Sequence, residues 1–216
     1  MTLISFKAEN SRPKGIFRLE FSDGPSLLLA SRYLSETTDP LLWEEAAINE
    51  KNTGNVRELT SYEEESFRFA AACYEAEKSA LRLIARAEQN SPVLKAKLQR
   101  RGHNPAVVHA VISSLLDRNL LDDRRYAEQW IRSRLSSGKI TSPFLLNASL
   151  GKKGISRISS REAMDTVLDK ETEYALLLRY LRARGRDIKN AISQKIQLKK
   201  EGFSADVINR YYEDFQ

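Results

Sequence analysis

Cysteine, histidine and long apolar runs are scarce in this 216-residue sequence, and their scarcity excludes several classes of protein. The single cysteine, Cys73, cannot form a disulfide within the chain. The two histidines, His103 and His109, have no cysteine or carboxylate at ligand spacing, which argues against a zinc site. No apolar run approaches the roughly 20 residues that cross a bilayer, and the first residues lack the basic-then-apolar layout of a signal peptide. We therefore expect a cytoplasmic protein that needs no metal or other cofactor.

Catalytic motifs are missing as well. No Ser-His-Asp pattern occurs in a catalytic context. Gly138-Lys139 and Gly151-Lys152 lie in turns rich in serine and lysine, but they lack the full spacing and the preceding strand of a phosphate-binding loop. We predict that the protein is not an enzyme.

Positive charge is present and unevenly distributed. The formal net charge is +6, yet residues 1–89 carry 11 Lys/Arg and 15 Asp/Glu, a balance of −4, whereas residues 90–216 carry 24 and 14, a balance of +10. A strongly basic surface attracts polyanions, above all nucleic acid. A solubilising surface with many ion pairs along its helices has the same composition, so both interpretations stay open at this point.

A short phrase recurs three times in the basic part of the chain. Leu98-x-x-x-Gly102, Leu150-x-x-x-Gly154 and Leu198-x-x-x-Gly202 share one spacing, and basic residues precede each glycine. The glycines follow one another at intervals of 52 and 48 residues. A fixed period of this size is typical of stacked supersecondary units, which present an extended binding surface rather than a catalytic pocket.

Helix start and stop signals place this phrase in a mainly α-helical fold. From Thr60 onward they predict nine helices in three sets of three. We predict three tandem three-helix repeats, over residues 61–121, 122–169 and 170–216. Residues 1–60 then form an N-terminal extension and linker. Glycine at the end of the second helix in each set predicts a left-handed backbone there.

Local signals give these helices their expected limits. Ser61 followed by Glu64 fits a capping box, and the absence of Gly and Pro predicts one long helix over Tyr62–Glu88. The later helices are expected to begin at Ser91, Asn104, Asp123, Ser142, Ser159 or Ser160, Lys170, Asp187 and Ser204.

The N-terminal extension has a different pattern. Short apolar runs at Leu3–Phe6, Ile16–Phe21 and Leu27–Leu29 alternate with turn signals, which predicts a small antiparallel sheet of two or three strands. Such a sheet is marginal alone and must pack on something else. Asp39-Pro40 can start a further helix, and a loop is expected over residues 51–55.

Two adjacent carboxylates, Asp122 and Asp123, open the second predicted repeat. Acidic residues at a helix N-terminus interact favourably with its positive end, by roughly 0.3–1 kcal/mol each. Without a third acid or a histidine nearby they are weak evidence for a metal site. Tyr126, Trp130 and Ile131 follow on one helical face, so we predict that they belong to the core.

Four segments in this order and spacing resemble the RecX family, regulators of the RecA recombinase. They are Ala80–Arg86, Lys97-Leu98-x-x-x-Gly102, Leu120–Ala127 and Lys152–Ile155. The resemblance covers about residues 62–216. Its most specific part is Leu-Asp-Asp-x followed by a basic, an aromatic and an alanine residue, which here spans Leu121–Ala127.

This resemblance implies an elongated, curved helical protein that does no chemistry of its own. It would act as a monomer in the groove of a RecA filament on DNA, modulating ATP hydrolysis and strand exchange in homologous recombination, DNA repair and the SOS response, with inhibition as the expected direction. It would contact single- and double-stranded DNA with weak sequence preference. The basic residues expected to contact DNA or RecA are Arg86, Lys95, Lys97, Arg100, Arg101, Arg125, Arg132, Arg134, Lys139, Lys152, Lys153, Arg157, Lys199 and Lys200.

Three other functions fit parts of the sequence. A helix-turn-helix transcriptional regulator would read a preferred DNA site, usually as a dimer. A protein-only scaffold would have a basic face that is merely solvated and would show no salt-dependent DNA affinity. A nucleotide-hydrolysing enzyme is the least supported alternative.

Overall fold

The structure is a computed structural model that describes residues 2–8, 15–34, 57–184 and 191–214. The fold is mainly helical with a small antiparallel sheet at its N-terminal end, which confirms the predicted fold class. The helix expected from Asp39-Pro40, the loop at 51–55 and the helix start at Asp187 concern residues outside these ranges.

Four strands form the sheet, in the spatial order β3-β2-β1-β4. Their ranges are Thr2–Ala8 for β1, Ile16–Phe21 for β2, Leu27–Ala30 for β3 and Arg57–Glu58 for β4. Every pairing is antiparallel. The first three strands are the predicted ones. Strand β4 was not predicted, because a strand of two residues carries no periodic signal.

Nine α-helices follow in the described residues from 61 onward. They are α1 Ser61–Ile84, α2 Ser91–Arg100, α3 Pro105–Asp117, α4 Asp123–Ser136, α5 Pro143–Lys152, α6 Arg157–Val167, α7 Lys170–Arg184, α8 Ala191–Lys200 and α9 Ala205–Asp214. A short 3₁₀ helix, Ser31–Tyr33, follows the sheet. The long first helix ends at Ile84, four residues before the expected Glu88. Asn90, which is fully buried, then caps α2.

The contacts divide the chain into two compact units. Unit 1 comprises residues 1–87 and 94–120, and unit 2 comprises residues 88–93 and 121–216. In unit 1 the sheet packs on α1, where Phe67 lies among buried residues of β1, β2 and β3. The Phe6 and Phe17 rings stack with centroids 5.1 Å apart. This burial explains how a small sheet, marginal alone, is stabilised.

Unit 2 has one continuous core. Its buried side chains come from all six helices α4 to α9, with the largest share from α7. Ile131 is fully buried, and Tyr126 and Trp130 are partly buried against the same core. The prediction that these three residues face the core is therefore confirmed. The second and third predicted repeats share this core.

Several helices begin earlier than the sequence predicted. Thr60 and Glu63, not Ser61 and Glu64, form the capping box of α1. The side chain of Asp122, not Asp123, caps α4. Likewise Asn90 rather than Ser91 accepts the N-terminal hydrogen bond of α2, and Ser156 rather than Ser159 or Ser160 caps α6. Each segment offers several capping residues in succession. For α2 and α4 the alternative candidates, Ser91 and Asp123, are hydrogen-bonded to each other instead.

Candidate nucleic-acid interface

The segment Leu121–Asp123 connects the start of α4 to the start of α2 within unit 2. Leu121 is buried, and Asp122 accepts hydrogen bonds from the backbone N–H groups of Arg124 and Arg125. Asp123 accepts from the backbone N–H of Ser91 at 2.7 Å and from the Ser91 hydroxyl at 2.6 Å. Both carboxylates therefore have structural partners. The described residues contain no group of three or more His, Cys, Asp or Glu that could hold a metal ion.

Arg125, one of the predicted interface residues, has a carboxylate partner. Its Nη2 lies 2.8 Å from Oε1 of Glu88, and its Nε donates to the same oxygen at 2.9 Å. This ion pair joins residues 37 apart in the chain. Because Glu88 offsets its charge, Arg125 is a weaker candidate for a phosphate contact than an unpaired arginine.

The three glycines take the predicted left-handed backbone. Their φ angles are +86° for Gly102, +80° for Gly154 and +84° for Gly202. Each turn has the same two hydrogen bonds, from the N–H after the glycine to the leucine carbonyl and from the glycine N–H to the carbonyl three residues earlier. This is the Schellman motif. The recurring leucine is its buried helical residue, and the recurring glycine supplies its positive φ.

In unit 2 these turns also pack on the starts of earlier helices. A Cβ at Gly154 would lie 2.9 Å from Cγ of Pro92, at the start of α2. A Cβ at Gly202 would lie 3.1 Å from the backbone nitrogen of Phe144, at the start of α5. That nitrogen donates to the carbonyl of Glu201 at 2.9 Å. Gly154 and Gly202 thus both lie against the start of an earlier helix, whereas a Cβ at Gly102 would meet no atom within 4 Å.

The basic residues before the glycines do not occupy fully equivalent places. Arg100 and Arg101, like Lys152 and Lys153, directly precede their glycine. Before Gly202, however, the pair Lys199 and Lys200 lies one residue earlier, and Glu201 takes the last place. The Ser142 hydroxyl donates to Glu201 Oε2 at 2.6 Å. The basic pair therefore occupies the same two positions before Gly102 and Gly154 and lies one residue earlier before Gly202.

The predicted cations are spread over both units. Those of unit 1 are Arg86 after α1, Lys95, Lys97 and Arg100 on α2, and Arg101 after it. Those of unit 2 are Arg125, Arg132 and Arg134 on α4, Lys139 in the next loop, Lys152 and Lys153 at the end of α5, Arg157 on α6, and Lys199 and Lys200 on α8.

Ion pairing separates the lysines and arginines of the described residues into two classes, those with a carboxylate partner and those without one. Lysines and arginines such as Arg68, Lys78, Arg124 and Arg161 have a carboxylate one helical turn away. Most of the predicted interface residues do not. Within the described ranges, the following have no ion pair with a carboxylate: Arg86, Lys95, Arg100, Arg101, Arg132, Arg134, Lys139, Lys152, Lys153, Arg157, Lys199 and Lys200. Unpaired cations are the ones ready to bind phosphates.

Three further arginines belong to the unpaired class and were not predicted. Arg82 is exposed in the last turn of α1, and Arg182 and Arg184 are exposed in the last turn of α7. None of the three has an ion pair with a carboxylate in the described parts of the chain. The sequence could have identified these arginines, because a cation in the last turn of a helix often has no acidic residue one turn further along the same helix.

The sequence also did not predict a buried carboxylate in unit 1. Glu77 on α1 has a side chain only 3% exposed. Arg118 donates to it at 2.5 Å, Tyr33 at 2.9 Å and Arg32 through two nitrogens at 3.2 Å each. Burial alone would raise the pKa of Glu77, but these hydrogen bonds and charges outweigh burial and lower that pKa below its ordinary value. The cluster ties the 3₁₀ helix to α1 and to the end of α3.

Several known proteins with sequences similar to this chain are described as regulatory protein RecX. No family model matches the chain. The regulatory protein RecX of Treponema pallidum (strain Nichols) is 34% identical over 142 residues, which are 66% of this chain and 86% of that protein. The regulatory protein RecX of Halorhodospira halophila is 35% identical over 137 residues, covering 60% and 81% of the two chains.

Solved structures show the same fold. A crystal structure of a regulatory protein RecX matches 96% of this chain and 97% of its own, with a TM-score of 0.58 at 16% identity. A structure of RecX from Lactobacillus salivarius matches 66% of this chain and 96% of its own, with a TM-score of 0.51 at 19% identity. Among the described helices of the present chain, none is long and apolar enough to cross a membrane.

Proposed function

This chain belongs to the RecX family of regulatory proteins, and on that premise we propose that it binds RecA filaments on DNA and lowers their ATP hydrolysis and strand exchange. It does so as a cytoplasmic monomer without catalysis of its own. The premise supplies the partner, because the resemblance to the family implies RecA. The relatives are named regulatory proteins, which agrees with a role outside catalysis.

The observation that carries the DNA-binding part of the proposal is the class of unpaired cations. Carboxylates lie one helical turn from Arg124 and Arg161, so these arginines are partly neutralised. Arg100, Arg101 and Lys152, which lie at the glycine turns, have no such partner among the described residues. Phosphates that replace solvent at such side chains release counterions from DNA, which favours binding at low salt.

Contacts of this kind go to the DNA backbone, so they position the protein without reading sequence. We therefore propose binding to single- and double-stranded DNA with weak sequence preference. The three-helix repeats over residues 61–121, 122–169 and 170–216 are part of the same proposal. Their support is the identical Schellman turn at Gly102, Gly154 and Gly202.

The test is the ATPase activity of RecA on single-stranded DNA, measured with increasing amounts of this protein. We expect the rate to fall as the protein is added, and the effect to weaken as salt rises. An unchanged rate would refute the proposed function. If a strong preference for one duplex sequence appeared at the same time, the helix-turn-helix transcriptional regulator would become the better hypothesis.

A further inference from the structure

Helix α8 exposes two large aliphatic side chains on one face. Ile192 is 77% exposed and Ile196 is 52% exposed. They lie one helical turn apart, so their side chains are neighbours on the helix surface. Isolated exposed apolar residues are normal in soluble proteins. Two isoleucines exposed to this degree on successive turns form an apolar strip with no partner among the described residues.

The opposite face of α8 is held firmly against unit 2. Leu198 is 1% exposed and belongs to the core. Gln194 is buried, and the Tyr212 hydroxyl donates to its Oε1 at 2.8 Å. The Lys195 ammonium lies 4.5 Å from the centre of the Tyr212 ring. Because these contacts fix the inner face, the isoleucine strip points outward in a defined orientation.

The charged side chains of α8 itself are all positive. Helix α8 contains no Asp or Glu, and Lys199 and Lys200 are exposed at its last turn. Neither lysine has an ion pair with a carboxylate in the described ranges. Ile192, Ile196 and Lys199 stand at the i, i+4 and i+7 positions, the spacing by which a helix inserts into a groove.

Nucleic acid explains only part of this surface. Phosphates suit Lys199 and Lys200, but an aliphatic side chain cannot donate a hydrogen bond to a base or stack on it as an aromatic ring does. An apolar groove on a protein removes both isoleucines from water, and acidic residues at its rim complement the lysines.

We propose that the outer face of α8 docks into an apolar groove, rimmed by carboxylates, on a partner protein. This inference rests on the proposed function, because the partner used to test it is the RecA filament. It assigns the isoleucines and the two lysines at the end of α8 to protein contact, whereas the unpaired cations at the first two glycine turns, Arg100, Arg101, Lys152 and Lys153, serve DNA.

The test compares the wild type with the Ile192→Asn, Ile196→Asn double variant, which removes the apolar strip without adding a carboxylate one turn from Lys199 and Lys200. Two readouts are needed: inhibition of RecA ATPase on single-stranded DNA, and binding to the same DNA without RecA. For the variant we expect the concentration that gives half inhibition to rise by about tenfold or more, while its DNA affinity stays within about twofold of the wild type. The matched control is Ile158→Asn on α6, where the isoleucine is 72% exposed and the helix residues one turn further on, Arg161 and Glu162, are not apolar.

Several outcomes would overturn the inference. Equal inhibition by the variant and an active wild type would remove α8 from the docking surface and leave the proposed function intact. A parallel loss of DNA affinity would assign the strip to DNA, and a wild-type dimer that becomes monomeric in the variant would assign it to a second copy. A wild type with no effect on RecA would refute the proposed function and this inference together.

Folding of the variants is checked by thermal unfolding, since both isoleucines are exposed and their replacement should leave the melting temperature nearly unchanged. The Ile192→Thr, Ile196→Thr variant keeps the β-branched shape and one methyl group at each position. It should give an intermediate loss of inhibition. A wild-type level of inhibition in this variant would also contradict the inference.

Discussion

Asp123 binds the first turn of a helix other than its own. Its carboxylate accepts two hydrogen bonds from Ser91, 32 residues earlier in the chain, at 2.7 Å from the backbone nitrogen and 2.6 Å from the hydroxyl. Asp122 meanwhile caps α4. The two adjacent carboxylates thus connect the start of α4 to the start of α2 within unit 2.

Removing the Asp123 carboxylate should destabilise the protein measurably. Asp123→Ala leaves the Ser91 N–H and hydroxyl without their partner, at a cost of about 1–3 kcal/mol in the free energy of unfolding. Urea unfolding of Asp123→Ala, Ser91→Ala and the double variant measures the coupling between the two residues. We expect the double variant to lose less free energy of unfolding than the sum of the losses of the two single variants. Strict additivity would contradict a direct interaction.

The three turn glycines should differ in their tolerance of alanine. Gly102→Ala meets no atom within 4 Å, so it should cost only the positive-φ strain, about 1 kcal/mol. Gly154→Ala and Gly202→Ala should cost more, because their Cβ atoms would meet Pro92 and the backbone of Phe144. Denaturant unfolding of the three variants gives the ranking, and equal losses would argue against the packing of these turns.

Gly151→Ala is the matched control for this series. Gly151 lies inside α5, has no positive φ and has open space at its Cβ position. Alanine has the higher helix propensity, so this change should leave stability unchanged or raise it by up to about 1 kcal/mol. If Gly151→Ala lowered the free energy of unfolding as much as Gly154→Ala does, the losses in the series would come from the added methyl group itself and not from the positive φ or the packing of the turns.

Charge reversal at the first two glycine turns should weaken DNA binding. The variant Arg100→Glu, Arg101→Glu, Lys152→Glu, Lys153→Glu removes up to four phosphate contacts. Each lost contact should flatten the salt dependence of binding by roughly one unit of slope. A salt titration followed by fluorescence anisotropy measures both affinity and slope. If affinity and slope both equal those of the wild type in a folded variant, these residues do not contact DNA.

The control for this variant reverses four cations that already have carboxylate partners. Arg68, Lys78, Arg124 and Arg161 each lie three or four residues from their acid. Reversing them changes the net charge by the same amount, so any effect of net charge alone appears in both variants. We expect a smaller loss of affinity and a smaller change of slope in the control.

The Glu77 cluster should make the stability of the protein fall in acid. Because the folded-state pKa of Glu77 lies below its ordinary value of 4.5, its stabilising contribution is present above that pH and is lost as pH falls through the folded-state pKa. Glu77→Gln leaves Arg32 and Arg118 without a carboxylate and should cost about 3 kcal/mol at pH 7.

The free energy of unfolding, measured from pH 7 down to pH 3, tests the direction of this pH dependence. The difference in free energy of unfolding between the wild type and Glu77→Gln should narrow in acid, since the wild-type carboxylate becomes protonated. Glu75→Gln is the control, because the Glu75–Lys78 pair is exposed and should contribute under about 1 kcal/mol. A gap that widens as pH falls would contradict the lowered pKa.

The sequence by itself determined the features whose causes lie within a few residues. The positive φ at Gly102, Gly154 and Gly202 follows from the helix signals around each glycine, because a Schellman turn closes within six residues. The same local patterns predicted the helical class, the first three strands and the core positions at Trp130 and Ile131. The sequence also identified the basic residues, but it could not show which of them lack a carboxylate partner.

Only the tertiary structure decided which polar groups meet across long separations. Asp123 binds Ser91 and therefore leaves the cap of α4 to Asp122. Arg125 is paired because Glu88, 37 residues away, faces it. Arg118 reaches Glu77 across 41 residues. Periodicity and propensity report the preferences of one segment, whereas a hydrogen bond or an ion pair depends on the position of two segments, and packing of the cores sets that position.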